Sequence, residues 1–293
     1  MNVIIVHGSV ETSCDPLYLD SLQQAAITGY AELEKGLIDA VEKTIMVLED
    51  DPLFNAGFGS VLNLDGEVEM DAAIMDGLSY RCGAVAGIKG VRNPVCVARK
   101  VMEETSHVLL VGNGANRFAA QKGFLPFDPV TKEQKQFWEK AIAGEIKSFS
   151  PFTGLPKSCD TVGCIAVCDG NPAAASSTGG SFLKLPGRVG DTPVIGGGIY
   201  ASPYGAAVCT GLGEAFIRLQ GAAWAVNLIS QGVSVHDAAK ATINRLKSIN
   251  ANGGILVVDN KANVAAVHNS NSFPLALVRD GQVIKDFEAT RIA

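Results

Sequence analysis

The sequence predicts an α+β protein in which two β-sheets carry helical layers on their outer faces. Three observations support this fold class. Strand and helix patterns follow one another in mixed order along the 293 residues. Hydrophobic residues make up 47% of the chain and charged residues only 18%, which is enough apolar surface for a sizeable core. The 32 glycines indicate tightly turned, buried backbone, so we expect one compact domain over residues 1–293.

The first half of the chain mixes strands and helices. A buried strand is predicted at residues 3–6, followed by helices at 17–36 and 38–48, where apolar residues recur every three or four positions. Residues 49–59 are predicted to form a loop, and a hairpin follows with strands at 60–64 and 67–75 around Asp65 and Gly66. Asn93 and Pro94 indicate a helix that ends near residue 104. A strand at 107–111 and a short helix at 114–121 complete this half.

Residues 126–160 differ from the rest of the chain. Lysines and glutamates crowd into a predicted helix near 132–140, and a segment rich in serine and proline follows. This polar segment is the one predicted linker. Beyond it, strands are predicted at 162–167, 173–177, 205–209, 254–258, 264–268 and 273–278, with amphipathic helices at 214–228 and 235–249.

Composition excludes several classes of function. The formal charge of −6, without any block of lysine or arginine, argues against nucleic acid or an anionic membrane as partner. Residues 192–213 are uncharged but contain two prolines and six glycines, so they are not a membrane helix. The seven cysteines are scattered without metal or redox spacing. Free thiols in a reducing cytoplasm fit this pattern, and a small molecule or peptide is the expected partner.

The candidate site lies in residues 161–213, which hold 12 glycines but only four charged side chains. Two of these charges, Arg188 and Asp191, are three residues apart. Charges in so apolar a region are either paired with each other or bind a ligand. In the second case, Arg188 would bind a carboxylate and Asp191 an ammonium group, as a zwitterion requires.

Three threonines in the same region, Thr161, Thr178 and Thr210, stand beside glycines. Each alone fits a strand residue next to a turn. Together they suggest hydroxyl groups beside approachable backbone N–H groups, as in an oxyanion pocket. A threonine becomes a good nucleophile when it is N-terminal, because its own α-amine then acts as the base. Thr161 directly follows the linker, where a backbone cut would release its amine.

The ordered set of motifs resembles the plant-type L-asparaginase and isoaspartyl peptidase family. The motifs are Phe54-Asn55-Ala56-Gly57, Met70-Asp71-Ala72-Ala73-Ile74-Met75-Asp76-Gly77, Asp160-Thr161-Val162-Gly163, Ser177-Thr178-Gly179-Gly180, Gly187-Arg188-Val189-Gly190-Asp191 and Thr210-Gly211-Leu212-Gly213-Glu214. They run over nearly the whole chain in the order typical of the family.

The resemblance implies an N-terminal-nucleophile hydrolase with a four-layer αββα sandwich. It implies self-cleavage between Asp160 and Thr161, giving an α chain of residues 1–160 and a β chain of 161–293. Thr161 would be nucleophile and base, and Thr178 would orient its hydroxyl. The remaining roles implied are an oxyanion hole from Thr210 and Gly211, a nearby polar group from Asn55, and substrate binding by Arg188, Asp191, Gly211 and Gly213.

The implied substrates are L-asparagine and β-aspartyl dipeptides, and no organic cofactor is needed. Loop residues 48–58 resemble the sodium-binding loop of the family, in which backbone carbonyl groups bind the ion. These would come from Leu48, Glu49, Asp51, Phe54, Ala56 and Phe58, although an ion-free turn is the alternative. The resemblance also suggests a homodimer of processed αβ units.

Some alternatives stay open at the level of sequence. A glycosylasparaginase or an aspartate-directed threonine protease would share the fold, and a non-catalytic amino-acid-binding relative is a third reading. His7-Gly8-Ser9 stands where the family usually has His-Gly-Gly, in a loop associated with self-cleavage. Leu212 stands where relatives often have a polar residue. No catalytic or metal role is predicted for the histidines, which are His7, His107, His236 and His268.

Overall fold

A computed structural model describes residues 1–10, 14–145 and 161–292. Eight helices lie within these residues. They are α1 Pro16–Glu32, α2 Leu37–Glu49, α3 Pro94–Glu104, α4 Gly112–Gln121, α5 Lys132–Ile142, α6 Gly213–Leu219, α7 Gly221–Ser230 and α8 Val235–Lys247. None of the helices in this described part is long and apolar enough to cross a membrane.

The strands of the described residues form two sheets. They are β1 Val3–His7, β2 Met70–Asp76, β3 Cys82–Ile88, β4 Leu109–Val111, β5 Val162–Cys168, β6 Asn171–Thr178, β7 Ile199–Ser202, β8 Gly205–Gly211, β9 Gly253–Asp259, β10 Val264–His268, β11 Leu275–Arg279, β12 Gln282–Val283 and β13 Thr290–Arg291. The larger sheet has the order β12-β11-β1-β5-β6-β2-β3-β4, and the smaller has the order β13-β10-β9-β8-β7. Neighbours are antiparallel except for β3 with β4 and β10 with β13.

Alternate strand residues face opposite sides of each sheet, and this separates the core into layers. In β1, Ile4 and Val6 pack with α1 and α2, whereas Val3 and Ile5 face the second sheet. The outer face of the smaller sheet packs against α6, α7 and α8. The layers therefore follow the order helices, sheet, sheet, helices. Many side chains between the sheets are small, namely Ala73, Ala84, Ala174, Ala201, Ala206 and Ala266.

Most predicted elements are present, but the hairpin around Asp65 and Gly66 is wrong in part. The turn exists, because Gly66 N donates to Asn63 O at 3.1 Å, yet residues 60–64 are not a strand. Their backbone pairs with the loop that carries Leu183 and Lys184: Leu183 N donates to Leu62 O at 2.9 Å, and Leu64 N donates to Lys184 O at 3.0 Å. These bonds replace a hairpin ladder.

The single helix predicted at 214–228 is also wrong, since it is two helices. Gln220 lies between α6 and α7 in the left-handed region, with φ 51°. The first amides of α7 bond to a glycine loop, Ala222 N to Gly197 O at 3.0 Å and Ala223 N to Gly196 O at 2.9 Å. Because this loop caps the first amides of α7, a second helix begins directly after Gln220. Four strands, β3, β7, β12 and β13, have no counterpart among the predicted elements.

Candidate active site

Two of the three threonines predicted from the sequence are in contact, and the third directly precedes Gly211, which lines the same cavity. Thr161 immediately precedes β5 and Thr178 ends β6, both in the larger sheet, whereas Thr210 lies in β8 of the smaller sheet. Thr161 Oγ1 donates a hydrogen bond to Thr178 Oγ1 at 3.1 Å. All three side chains are buried, so their hydroxyl groups lie in a largely dry environment.

Thr178 accepts hydrogen bonds from two directions. Besides the Thr161 hydroxyl, the Gly180 amide donates to Thr178 Oγ1 at 2.9 Å. The turn beyond β6 is braced by Asn55, whose Nδ2 donates to Gly180 O at 2.7 Å and whose Oδ1 accepts from Val61 N at 2.9 Å. A side chain at Gly179 would collide with Asn55 Oδ1. Asn55 therefore fixes the turn that orients Thr178, while its predicted contact with water or an oxyanion stays a prediction.

Arg188 pairs with Glu214 instead of Asp191. Its Nε and Nη2 donate to Glu214 Oε1 and Oε2, both at 2.9 Å. The structural pair with Asp191 that the sequence left open is therefore not formed. Arg188 and Asp191 nevertheless lie close together above Gly213, because a Cβ there would lie 3.3 Å from Arg188 Nη2 and 2.7 Å from Asp191 Oδ1.

Asp191 is a buried carboxylate whose Oδ2 has no hydrogen-bond partner among the described residues. Burial raises the pKa of Asp191 to about 7, and the positive charge of Arg188 opposes that shift. An incompletely solvated carboxylate is stabilised by a cation. The arrangement thus combines a guanidinium with a carboxylate that can accept an ammonium group.

Thr161, Thr178, Arg188, Asp191 and Gly211 line one small cavity, together with Gly180, Ser181, Gly190 and Thr192. Its volume is about 10 Å³, which is near the minimum that holds one water molecule. Gly211 has φ 122° and lies against Gly253, where a Cβ would be 2.6 Å from the Gly253 Cα. Glycine is thus required at this point of the wall.

The sequence associated the loop of His7, Gly8 and Ser9 with self-cleavage but did not predict that the His7 side chain would lie beside Thr161. Ser9 N donates to His7 Nδ1 at 3.2 Å, so the proton of the neutral ring is on Nε2. Burial lowers the pKa of His7 to about 3, and a contact with the Thr161 backbone opposes this. A Cβ at Gly163 would collide with His7 Nε2. The position of His7 at the end of the first strand was the available signal.

Strand β2 anchors the loop that carries Arg188, a role that sequence reasoning also missed. Glu69 Oε2 accepts from Gly187 N at 2.9 Å, and Asp71 Oδ2 accepts from Gly190 N at 3.3 Å. Lys184 Nζ donates to Glu69 O at 2.7 Å, and burial lowers the pKa of Lys184. The only sequence signal for this anchoring role was the position of Asp71, which lies two residues after Glu69 and belongs to one of the family motifs.

The predicted cation loop is compact, and three of its carbonyl oxygens lie close to two of its glycines. Gly57 and Gly59 have positive φ values, 56° and 100°. A Cβ at Gly59 would lie 2.8 Å from Pro52 O and 3.1 Å from Phe54 O, and one at Gly57 would collide with Glu49 O. The Glu49 carbonyl also accepts from Phe58 N at 2.7 Å. Burial raises the pKa of the Glu49 carboxyl to about 8, so this side chain is uncharged near neutrality.

The structure brings most of the predicted site residues together. Thr161, Thr178, Asn55, Arg188, Asp191 and Gly211 are brought together, with Thr210 and Gly213 beside them. Asp160, and with it the predicted bond to be cut, lies outside the described residues. The six carbonyl groups predicted for sodium belong to one continuous segment, which begins at the end of α2 and includes Asn55.

Comparison with known proteins identifies the family of the chain. Residues 1–287 match the family described as asparaginase. A plant-type L-asparaginase of Pyrococcus abyssi is 45% identical over 297 residues, covering 96% of this chain and 97% of the relative. A plant-type L-asparaginase of Thermococcus kodakarensis is also 45% identical, over 298 residues with the same coverage. The isoaspartyl peptidase/L-asparaginase of Rattus norvegicus is 40% identical over 294 residues, 96% of this chain and 87% of the relative. The chain therefore belongs to the asparaginase family.

Proposed function

We propose that this protein is a self-processing amidohydrolase that cleaves the side-chain amide of L-asparagine and the isopeptide bond of β-aspartyl dipeptides. The observation that carries the proposal is the buried hydrogen bond between Thr161 and Thr178 at the start of β5. The names of the relatives, which specify asparaginase and isoaspartyl peptidase, support the same chemistry. The layered fold is then an αββα sandwich of the N-terminal-nucleophile type, a single domain cut into residues 1–160 and 161–293.

Self-cleavage creates the catalytic group. Thr161 Oγ1 attacks the carbonyl carbon of Asp160, the peptide C–N bond breaks, and the released nitrogen takes up the hydroxyl proton. Water then hydrolyses the ester, which leaves Thr161 with an α-amine. Thr178 holds the Thr161 hydroxyl in one orientation because it accepts from that hydroxyl while the Gly180 amide donates to Thr178.

The processed enzyme repeats this chemistry on its substrate. The α-amine of Thr161 has an ordinary pKa of about 7.7 to 8.0, which suits a base at neutral pH. It removes the hydroxyl proton as Oγ1 attacks the side-chain carbonyl carbon, and ammonia or a peptide amine leaves with a proton. Water hydrolyses the aspartyl ester and regenerates Thr161. Thr210 Oγ1 and the Gly211 amide donate to the oxyanion.

Arg188 and Asp191 bind the amino-acid end of the substrate. The guanidinium binds the α-carboxylate and the Asp191 carboxylate binds the α-ammonium group, whose charge replaces the missing partner of Asp191 Oδ2. The backbone near Gly211 and Gly213 completes this pocket. The small cavity, about 10 Å³ in the single chain, supports an inactive precursor, since it is too small for an amino acid.

A sodium ion fits the loop of residues 48–58. Carbonyl oxygens are the ligands that hard cations prefer, and the carbonyl groups of Glu49 and Phe54 point at the positions that side chains would fill at Gly57 and Gly59. A carbonyl that already accepts one hydrogen bond keeps a second lone pair. The proposed ligands are the carbonyl groups of Leu48, Glu49, Asp51, Phe54, Ala56 and Phe58. The ion would stiffen the loop that positions Asn55, and no organic cofactor is required.

We further propose a cytoplasmic location and a homodimer of processed αβ units. The location is supported by six cysteines with free thiols among the described residues, as is usual in a reducing compartment. The dimer rests on the family resemblance alone.

Intact-mass spectrometry on fresh and aged protein tests the proposal. Wild type should give two fragments of roughly 17 and 14 kDa, in proportion to the two chain lengths, while Thr161→Ala stays at 30.6 kDa. L-Asparagine, a β-aspartyl dipeptide and glycosylated asparagine, assayed in parallel, separate the proposed activity from that of a glycosylasparaginase. Turnover by a chain that remains uncut would contradict the mechanism.

A further inference from the structure

The start of β2 is bonded to both parts of the proposed site. In the ladder between β2 and β6, Asp71 is paired with Thr178, whose hydroxyl accepts from that of Thr161. The side chain of the same aspartate accepts a hydrogen bond from Gly190 N, at 3.3 Å from Oδ2. Gly190 immediately precedes Asp191. One strand residue thus links the nucleophile to the carboxylate that we propose to bind the substrate α-amine.

Glu69 holds the other side of the same loop. Its Oε2 accepts from Gly187 N at 2.9 Å, and Gly187 directly precedes Arg188. Glu69 and Asp71 are two residues apart, as is usual for side chains on one face of an extended chain. The loop is therefore held at two backbone amides, one on each side of Arg188, by two carboxylates of one segment.

A buried lysine stabilises these two carboxylates. Lys184 Nζ donates to the Glu69 carbonyl at 2.7 Å, and Asp71 Oδ1 accepts from Gly87 N at 2.8 Å. Burial raises the pKa of Asp71, and the positive charge of Lys184 opposes that shift. Burial also disfavours ionised Glu69, but the Gly187 amide and Lys184 help to hold the pKa of this carboxyl below its usual value. Buried carboxylates are costly unless they are paired and hydrogen-bonded, so these contacts fix both side chains in place.

We infer that Glu69 and Asp71 are positioning residues that determine how long a substrate side chain the enzyme accepts. They fix the separation between the Thr161 hydroxyl and the pair formed by Arg188 and Asp191. The carbonyl carbon to be attacked is one methylene group from the α-carbon in L-asparagine and two in L-glutamine. A loop held on both sides matches one of these lengths, and one methylene group is worth roughly 10- to 200-fold in discrimination. This inference rests on the proposed function.

Two variants of the processed enzyme test the inference. Glu69→Met keeps the length of the side chain but removes the acceptor of Gly187 N. Asp71→Asn replaces one oxygen by a group that cannot accept, and the longer bond, from Gly190 N, is the weaker of its two.

The quantity to measure is the ratio of kcat/KM for L-asparagine to that for L-glutamine. Both variants should lower this ratio about three- to tenfold, mainly through a higher KM for L-asparagine, because the loop is held less firmly. If wild type hydrolyses L-glutamine too slowly to measure, turnover should become measurable in the variants. The ratio does not depend on the fraction of folded enzyme, so a variant that is merely destabilised leaves it unchanged.

Asp76→Asn is the matched control. Asp76 ends the same strand, and its Oδ1 accepts from Leu78 N at 3.1 Å in the following turn. This variant should keep the wild-type ratio. A wild-type ratio in Glu69→Met would overturn the inference, even if Asp71→Asn gives no soluble enzyme, and so would an equal fall in Asp76→Asn. Each of these results leaves the proposed function intact. Wild type that hydrolyses no substrate would instead remove the proposed function, and the inference with it.

Discussion

Arg188 and Glu214 are joined by two parallel hydrogen bonds of 2.9 Å that use the Nε and Nη2 edge of the guanidinium. The opposite edge, with Nη1, faces Gly190 on the cavity wall, where a Cβ would lie 2.9 Å from Nη1. Burial favours the neutral acid, but the Arg188 bonds hold the pKa of Glu214 below its usual value. Glu214 is thus ionised near neutrality and orients the guanidinium that we propose to bind the substrate.

Glu214→Gln should weaken substrate binding because the guanidinium loses one of two charge-assisted bonds that fix its plane. We expect KM for L-asparagine to rise about three- to tenfold with little change in kcat, measured by steady-state kinetics on processed enzyme. The exposed pair between Lys35 and Glu32 offers a control, since Glu32→Gln should leave both constants unchanged. A lower KM for Glu214→Gln would mean that Glu214 competes with the substrate instead of orienting Arg188.

Thr178→Val should slow self-cleavage by about tenfold or more, because the Thr161 hydroxyl loses the acceptor that orients it. Valine keeps the shape of threonine, so packing is little disturbed. Thr178→Ser, which keeps the hydroxyl, should process at close to the wild-type rate. The fraction of cut chain over time, followed by denaturing electrophoresis, gives both rates. Equal processing by the valine and wild-type chains would show that Thr178 does not orient the nucleophile.

The pKa of Asp191, raised to about 7 by burial, predicts a pH dependence of substrate binding. Below this pKa the carboxyl group is protonated, and a proton must be displaced before the substrate ammonium group binds. KM for L-asparagine should therefore rise up to about tenfold per pH unit below 7. Protonation of the Thr161 amine should appear in kcat instead.

Succinamic acid separates the two effects, because it is asparagine without the α-amino group. Its KM should not rise at low pH through Asp191, since no ammonium group needs the carboxylate. Steady-state kinetics from pH 5.5 to 8.5 with both substrates would give the comparison. Parallel KM profiles for the two compounds would contradict the assignment of Asp191 to the α-amine.

The proposed sodium site predicts an ion-specific gain in stability. Binding to the folded loop alone raises the free energy of unfolding by mass action. We expect the thermal midpoint to be a few degrees higher in sodium chloride than in choline chloride. Equal ionic strength in both solutions removes the contribution of screening. Identical midpoints over a wide range of concentrations would argue against a sodium site in this loop.

Local patterns in the sequence predicted most elements because periodicity and capping are local properties. The helix that begins at Pro94 and the strands on both sides of Asp169 and Gly170 are present as expected. The expectation fails where distant segments supply the hydrogen bonds. The backbone at residues 62–64 bonds to Leu183 and Lys184, and the break at Gln220 depends on a glycine loop more than 20 residues earlier.

The same contrast between local patterns and distant contacts applies to the candidate site. Thr161, Thr178, Arg188 and Asp191 could be selected because charge and hydroxyl groups are conspicuous in a glycine-rich segment. The partner of Arg188 could not, since Glu214 is 26 residues away and opens a helix. His7 and Ser9 lie more than 150 residues from the threonines they approach. Pairing of β1 with β5 brings His7 to Thr161, whereas the stacking of the two sheets brings Ser9 Oγ within 2.7 Å of Thr210 Oγ1.

The alanine-rich layer between the sheets sets the spacing on which this chemistry depends. Thr161 and Thr210 belong to different sheets, so their separation is the distance between two stacked surfaces rather than a property of any loop. Replacing Ala174 or Ala206 by valine, which adds two methyl groups, would push those surfaces apart and destabilise the fold by about 1–3 kcal/mol. Such a variant could still fold, but its threonine hydroxyl groups would be misaligned. A substitution between the sheets would therefore reduce catalysis before it prevents folding. The packing between the two sheets therefore controls the geometry of the active site.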